Sequence, residues 1–224
     1  MAAKMKMIDA NNPDSEVMKQ AARLITEGKV IVCPTDTCYI FVADALDPKA
    51  VLRVFELKGR SYSNPIHVAV NSIEAAEKYA HVNEAARELA RRFLPGALTM
   101  VLPKKEVIPS LLVSGGDTVG IRIPDNKVIL DLAAITNLPL TATSANISGR
   151  PTPYSTQEVV EQLGEAVKNV ALIVDQGPLS EHGLSTIVDL AADPPQLIRQ
   201  GRVSWLELRQ ILRAQQEHLK EGDC

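Results

Sequence analysis

SEVMKQAARLITEGKVIVCPTDTCYIFV, Ser15 to Val42, decides the fold class. Ser15 to about Glu27 reads as an amphipathic helix with Gly28 as its stop. Val30-Ile31-Val32-Cys33 follows as a buried strand, Pro34 closes it, and a second extended run passes through Tyr39-Ile40-Phe41-Val42. Two extended runs follow each other here with no helix between them. The sheet they enter is therefore mixed, not purely parallel.

Outward from this stretch the alternation continues. Asp47-Pro48 is a cap followed by proline at the first helical position, and its helix runs to Lys58 and ends at Gly59. Ile66 to Val70 is a strand, and helices are expected near 72–80 and 83–93. Leu98 to Leu102 and Val119 to Ile123 are strands joined through a Gly-Gly-Asp turn region. Residues 126–136 read as helical and Pro139 to Thr143 as extended. Ser155-x-x-Glu158 and Ser204-x-x-Glu207 read as capping boxes, each opening a helix. Ala171 to Val174, Ser185 to Val188 and Leu197-Ile198 lie between them as strands. About nine strands and about six or seven helices in alternation mean an α/β fold with a substantial sheet. No repeat, low-complexity segment or linker divides the chain. A single domain over 1–224 is expected, with its core at 15–203, a C-terminal helix at 204–218 and a polar tail from Gln215 that frays.

Composition narrows the classes. The 224 residues are 46% hydrophobic and 23% charged, which excludes disordered, collagenous and coiled-coil proteins. Aromatics are only 4%, so the core is built from Leu, Val, Ile and Ala. A net charge of −3 argues against broad non-specific nucleic-acid binding, a local basic patch aside. No apolar run reaches the roughly 20 residues that span a bilayer, so no membrane partner is expected. Cys33, Cys38 and Cys224 are an odd, sparse set with no second Cys or His pair at a matching spacing. This is neither a disulfide framework nor a zinc site, and a cytoplasmic location fits it.

Four polar segments could carry chemistry, and each also has an ordinary structural explanation. Pro34-Thr35-Asp36-Thr37 directly follows a buried strand and could be a plain turn. Lys58-Gly59-Arg60 ends a helix, where cations suit the dipole, yet Lys and Arg flanking a glycine also suit a phosphate clamp. Asn64, Pro65 and an intrastrand His67 follow it. Arg122 alternates with apolar residues in Thr118-Val119-Gly120-Ile121-Arg122-Ile123-Pro124, and either faces solvent or meets an anion in a cleft. Thr141 to Pro151 is dense in hydroxyls and amides, either a polar turn or a wrap for phosphate oxygens. P-loop, strand-linked G-x-G-x-x-G, H-E-x-x-H and G-x-S-x-G motifs are absent, so any nucleotide is held some other way.

Taken together, these segments resemble the YrdC-like family of threonylcarbamoyl-AMP synthases, from about Ala21 to Gly201. The resemblance also includes Leu94-Pro95-Gly96-x-Leu98-Thr99 and Ser185-Thr186-Ile187-Val188-Asp189, and the family's K-x-R and S-x-N signature falls on Lys58, Arg60, Ser144 and Asn146. Asp36 stands where the family usually has Glu, and Ile40-Phe41 replaces a common Gly-Leu beside the expected threonine pocket. Gly183-Leu184 and Arg199-Gln200-Gly201 are further departures.

The resemblance implies a twisted open sheet with flanking helices and a concave, positively charged groove. It implies an enzyme, a nucleotidyltransferase, that joins L-threonine, bicarbonate and ATP into threonylcarbamoyl-AMP and pyrophosphate for tRNA t6A37 modification. ATP is then a substrate, with Mg²⁺ carried on its phosphates. Lys58 and Arg60 are expected to be catalytic. Lys58, Arg60, Asn64, Thr118, Ser144, Asn146 and Arg199 are expected to bind ATP, and Thr35, His67, Arg122, Thr143 and Ser185 to bind L-threonine. Downstream t6A transfer proteins are implied partners, and contact with tRNA or another structured RNA is open. Three alternatives stand beside this reading. The chain could be a non-catalytic paralogue gripping structured RNA, a relative using carbamoyl phosphate, or a paralogue whose turnover is lost through Ile40.

Overall fold

The computed structural model describes residues 4–9 and 12–221. In chain order the elements are β1 (Lys4–Met7), α1 (Ser15–Thr26), β2 (Ile31–Pro34), β3 (Tyr39–Val42), α2 (Pro48–Lys58), β4 (His67–Ala69), α3 (Ile73–Ala76), α4 (Glu84–Phe93), β5 (Leu98–Pro103), β6 (Thr118–Arg122), α5 (Lys127–Thr136), β7 (Leu140–Ser144), α6 (Thr156–Leu163), a 3₁₀ turn (Gly164–Asn169), β8 (Leu172–Asp175), β9 (Thr186–Asp189), β10 (Gln196–Arg199) and α7 (Trp205–Glu221). The ends of the helices follow local chemistry. Asp14 accepts from the amides of Glu16 and Val17 to start α1. Asp47 caps α2 with Pro48 behind it, and Gly59 ends that helix in the left-handed region at φ 53°. Ser155 and Glu158 form a reciprocal capping box on α6.

The strands form one open mixed sheet in the order β1-β8-β2-β3-β7-β4-β6-β5-β9-β10. Parallel pairs (β1 with β8, β2 with β8, β4 with β6, β5 with β9) are interleaved with antiparallel ones. Among the described residues there are ten strands, one more than expected. The additional one is β1, an edge strand whose four residues are all exposed, so no buried alternation announces it. The helix expected near 72–80 is a single turn, α3. Tyr79 donates back to Ala76, and Ala80 is drawn into a bridge with Lys104 instead. α7 starts after Ser204 as expected, but its first amide, on Trp205, donates to the Gln200 side chain. α7 continues past Gln215 to Glu221; residues 222–224, Cys224 among them, lie outside the described residues.

Alternate residues of a strand face opposite sides. One side carries Val32, Phe41, Val68, Val119, Ile121 and Met100 and is packed under a cluster that includes α2, α4, α6 and α7. The other side carries Ile31, Cys33, Ile40, Val42, Ala69 and Leu140, and packs against α1 and α5 through Met18, Ala21, Ile25, Val128, Ile129 and Leu132. That second cover stops partway across the sheet.

At β7 the sheet has a seam. Residues 140–142 pair with β4, and Thr143 and Ser144 pair with Phe41 and Ile40 of β3. Between them the Thr141 hydroxyl takes the place of a rung, accepting from the Ala43 amide and donating to the Phe41 carbonyl.

Candidate active site

Where α1 and α5 end, the same sheet side continues uncovered. His67 is two residues from Ala69 on β4, Ala142 opposes it on β7, and Arg122 opposes Ala69 on β6, with Thr99 beside Arg122 on β5. Side chains from loops and from β10 complete the walls of a cleft of about 130 Å³. They are Thr35, Thr37 and Cys38 from the β2–β3 turn, Arg60 and Pro65 after α2, Leu184 and Ser185 before β9, and Arg199 from β10. A volume below the roughly 300–1,000 Å³ of drug-sized pockets suits an amino acid.

Arg122 is held rigidly at the floor. It is 7% exposed, and its Nη2 meets Asp36 at 2.7 Å, its Nη1 donates to Thr37 Oγ1 at 2.6 Å, and its Nε donates to the Gly96 carbonyl at 3.1 Å. The anion that Arg122 meets is thus partly its own chain's Asp36. Three bonds leave one N–H on each terminal nitrogen without an acceptor among the described residues. Burial lowers the guanidinium's pKa and the Asp36 carboxylate opposes that, so the group stays charged. Arg60 donates to the carbonyls of Asn64 and Pro65, and Arg199 to the carbonyl and hydroxyl of Ser185. Burial lowers both of these as well. Ser185 Oγ also lies 3.0 Å from Thr99 Oγ1.

Lys58 takes a different direction. The left-handed Gly59 turns the chain sharply, so Lys58 points inward while Arg60 reaches the cleft. Lys58 is 2% exposed, and its ammonium donates to the carbonyls of Ser144 (2.5 Å) and Asn146 (3.1 Å) and to Asn146 Oδ1 (2.9 Å). Those acceptors match its three protons. The Ser148 amide returns a bond to the Lys58 carbonyl, and Ser144 Oγ donates to Asn146 Oδ1. Lys58 therefore anchors the 144–148 loop from behind and does not line the cleft. Burial, then Arg60, push its pKa down to about 7, with Cys38 opposing.

Of the expected site residues, Thr35, Arg60, His67, Arg122, Thr143, Ser144, Ser185 and Arg199 line this one cleft. Asn146 stands behind it with Lys58. Asn64 is exposed and contributes its carbonyl to Arg60. Thr118 is on the same sheet side as Arg122 but four residues away along β6, beyond His67 and outside the enclosed space. Thr35 is absorbed in its turn, accepting from the Thr37 and Cys38 amides and donating to the Cys38 carbonyl. Thr37, Cys38, Ile40 and Thr99 also line the cleft, beyond the residues expected to bind ligand. The Leu98-Thr99 motif was the available signal for Thr99.

His67 differs from its neighbours. Its ring lies on Gly120, where a Cβ would come within 2.5 Å of Cδ2. Burial and the positive Arg199, Arg60 and Arg122 push its pKa down to about 4, so the imidazole is neutral. Cys38, its thiol pushed up to about 11 by burial, is not a nucleophile at neutral pH.

Comparison with known proteins gives a consistent result. Residues 23–201 match the Sua5/YciO/YrdC family model, described as "Telomere recombination". The threonylcarbamoyl-AMP synthase of Pyrococcus abyssi is 41% identical over 193 residues, which cover 86% of this chain and 56% of that protein. A crystal structure of P. abyssi Sua5 complexed with L-threonine superposes with a TM-score of 0.87 at 38% identity, covering 92% of this chain and 60% of that one. The crystal structure of E. coli YciO gives a TM-score of 0.82 at 25% identity, covering 90% of this chain and 97% of the other. The chain thus spans little more than half the length of the archaeal synthase.

Proposed function

The chain belongs to the Sua5/YciO/YrdC family, and from that premise we propose that it is an L-threonylcarbamoyladenylate synthase, a nucleotidyltransferase. It joins L-threonine, bicarbonate and ATP into threonylcarbamoyl-AMP and releases pyrophosphate. Its product serves tRNA t6A37 modification through downstream transfer proteins in the cytoplasm. The observation that carries this reading is the convergence of Arg60, Arg122 and Arg199 with hydroxyl groups around one amino-acid-sized space. The reading takes 1–224 as a single domain, since one continuous sheet carries every lining strand. Among the described residues no helix is long and apolar enough to cross a membrane.

The chemistry has to bring anions together. Threonine and bicarbonate form a carbamate, and its carboxylate attacks the α-phosphate of ATP. Arg122, pre-oriented by Asp36, Thr37 and Gly96, grips the threonine carboxylate through its two free N–H groups. Thr35, His67, Thr143 and Ser185 surround the rest of the amino acid. The enclosed space is too small for a nucleotide as well, so the triphosphate runs out along the open rim. There Arg60 and Arg199 neutralise the charge that builds on the leaving pyrophosphate. Ser144 reaches phosphate oxygens once its hydroxyl turns from Asn146, and Asn146 and Lys58 serve it by fixing the 144–148 loop from behind, with Asn64 and Thr118 toward the outer end. Mg²⁺ arrives as the counterion of ATP, bound by phosphate and water. The cleft lining contains guanidinium, imidazole and hydroxyl groups and no carboxylate, so it offers no site of its own for that ion. Positioning supplies much of the rate.

The test is incubation of the chain with ATP, L-threonine and bicarbonate. Release of pyrophosphate and a threonine-dependent adenylate detected by mass spectrometry are expected. Pyrophosphate at background level with all three substrates present would reject the reading.

A further inference from the structure

Four titratable side chains with nitrogen atoms line the cleft, and three of them are tied down. Arg60, Arg122 and Arg199 each donate to oxygens of their own chain. The fourth, His67, has no hydrogen-bond partner for either ring nitrogen among the described residues, and neither nitrogen is sealed from the cleft. Its position is nevertheless specified. β4 brings it to the uncovered sheet side, and Gly120 leaves the hollow in which the ring lies, 2.5 Å from where a methyl group would stand. An imidazole held by packing, with both polar atoms unused, is a group kept for a ligand.

This inference rests on the proposed synthase activity, which poses a proton problem. Threonine arrives as a zwitterion, and its nitrogen cannot attack carbon until it loses a proton. The charged groups facing His67 are Arg60 from the loop after α2, Arg122 from β6 and Arg199 from β10. None can accept a proton. The β2–β3 turn offers the Cys38 thiol, which is already protonated, and Asp36, which is paired with Arg122 and does not line the cleft. β5 and β7 present only hydroxyls and apolar groups there.

We infer that His67 is the proton acceptor for the threonine α-ammonium. One N–H bond of the ammonium breaks and an N–H bond forms on the imidazole. The freed lone pair forms the C–N bond with bicarbonate, whose hydroxyl leaves as water with a second proton from the same nitrogen. The surplus proton stays on the imidazolium until it passes to solvent. The three arginines make the timing conditional. In the empty cleft burial, and after it the three arginines, hold the ring's pKa near 4. A carboxylate on Arg122 and phosphates on Arg60 and Arg199 offset the arginines' share of that shift, so the ring gains proton affinity as the anions bind.

The experiment compares wild type with His67→Gln and His67→Ala across pH 6–9, measuring adenylate formation and, separately, threonine affinity by calorimetry. A proton acceptor predicts a fall in kcat of about 10²–10⁴-fold in both variants, larger than any rise in threonine Kd, and partial recovery of His67→Ala by added imidazole. Turnover within about threefold of wild type, or a loss confined to threonine Kd without imidazole rescue, overturns the inference while leaving the synthase reading intact. A wild-type chain that forms no adenylate overturns both. Circular dichroism of each variant identifies a loss caused by misfolding, and in that case His67→Gln at matched folded concentration decides.

Discussion

One side of the sheet serves two purposes, and the boundary between them is two residues wide. Ala69 and Leu140 are fully buried under α1 and α5, while His67 and Ala142, the next same-facing pair on the same strands, open into the cleft. On the covered half the residues that β2, β3, β4, β7 and β8 turn toward α1 and α5 are apolar, and helices supply the other half of the contact. On the bare half, guanidinium, imidazole and hydroxyl groups stand at the corresponding places. No apolar helix face can cover them without leaving buried charges unpaired. The absence of a third helix and the presence of a ligand cleft are therefore one fact. Stability and chemistry have been separated along the strands rather than between domains.

That separation can be broken experimentally. The largest effect is expected on the covered half. Leu132→Ala, at the centre of the α5 contact, should lower unfolding free energy by about 3–5 kcal/mol in urea denaturation, with turnover per folded molecule retained. On the bare half the reverse is expected. Arg60→Ala should lower adenylate formation by about 10²–10³-fold with a small change in melting temperature. Equal effects of both variants on both readouts would dissolve the comparison.

A smaller effect concerns acid. Because the folded pKa of His67, about 4, lies below the unfolded value near 6.5, the unfolded chain binds the extra proton between those values. Stability should therefore fall as pH drops from about 6.5 to 4, by on the order of 2–3 kcal/mol. Thermal melts of wild type and His67→Gln check this, and the variant should lose that part of the slope. The smallest expected effect sharpens the boundary itself. Lys58→Met removes the donor to three oxygens of the 144–148 loop and should cost about 1–3 kcal/mol. If Lys58 acted on phosphate directly, ATP affinity would fall without that loss of stability.

Most of the architecture is legible in the sequence because short apolar runs, caps and glycine stops are local signals. Asp47-Pro48, Gly59 and the Ser155-x-x-Glu158 box each govern their own helix end. β1 is not legible, since its strand character comes only from pairing with β8. The cleft is legible as a set of residue types, and eight of the expected residues do meet there. The directions of individual side chains are not. Lys58 and Arg60 look equivalent on either side of a glycine, and only the left-handed turn at Gly59 sends one inward and the other to the cleft. The pairing of Arg122 with Asp36 joins residues far apart in the chain, and nothing local to either one specifies it.

The hydroxyl of Thr141 has a mechanical consequence. By standing in for a rung between β3 and β7, it makes β7 a strap between two plates, one carrying Cys38 and Ile40 and the other carrying His67 and Arg122. A ligand touching both would stitch the plates together, and slowed amide exchange along β3 and β7 would record its arrival at atoms it never contacts.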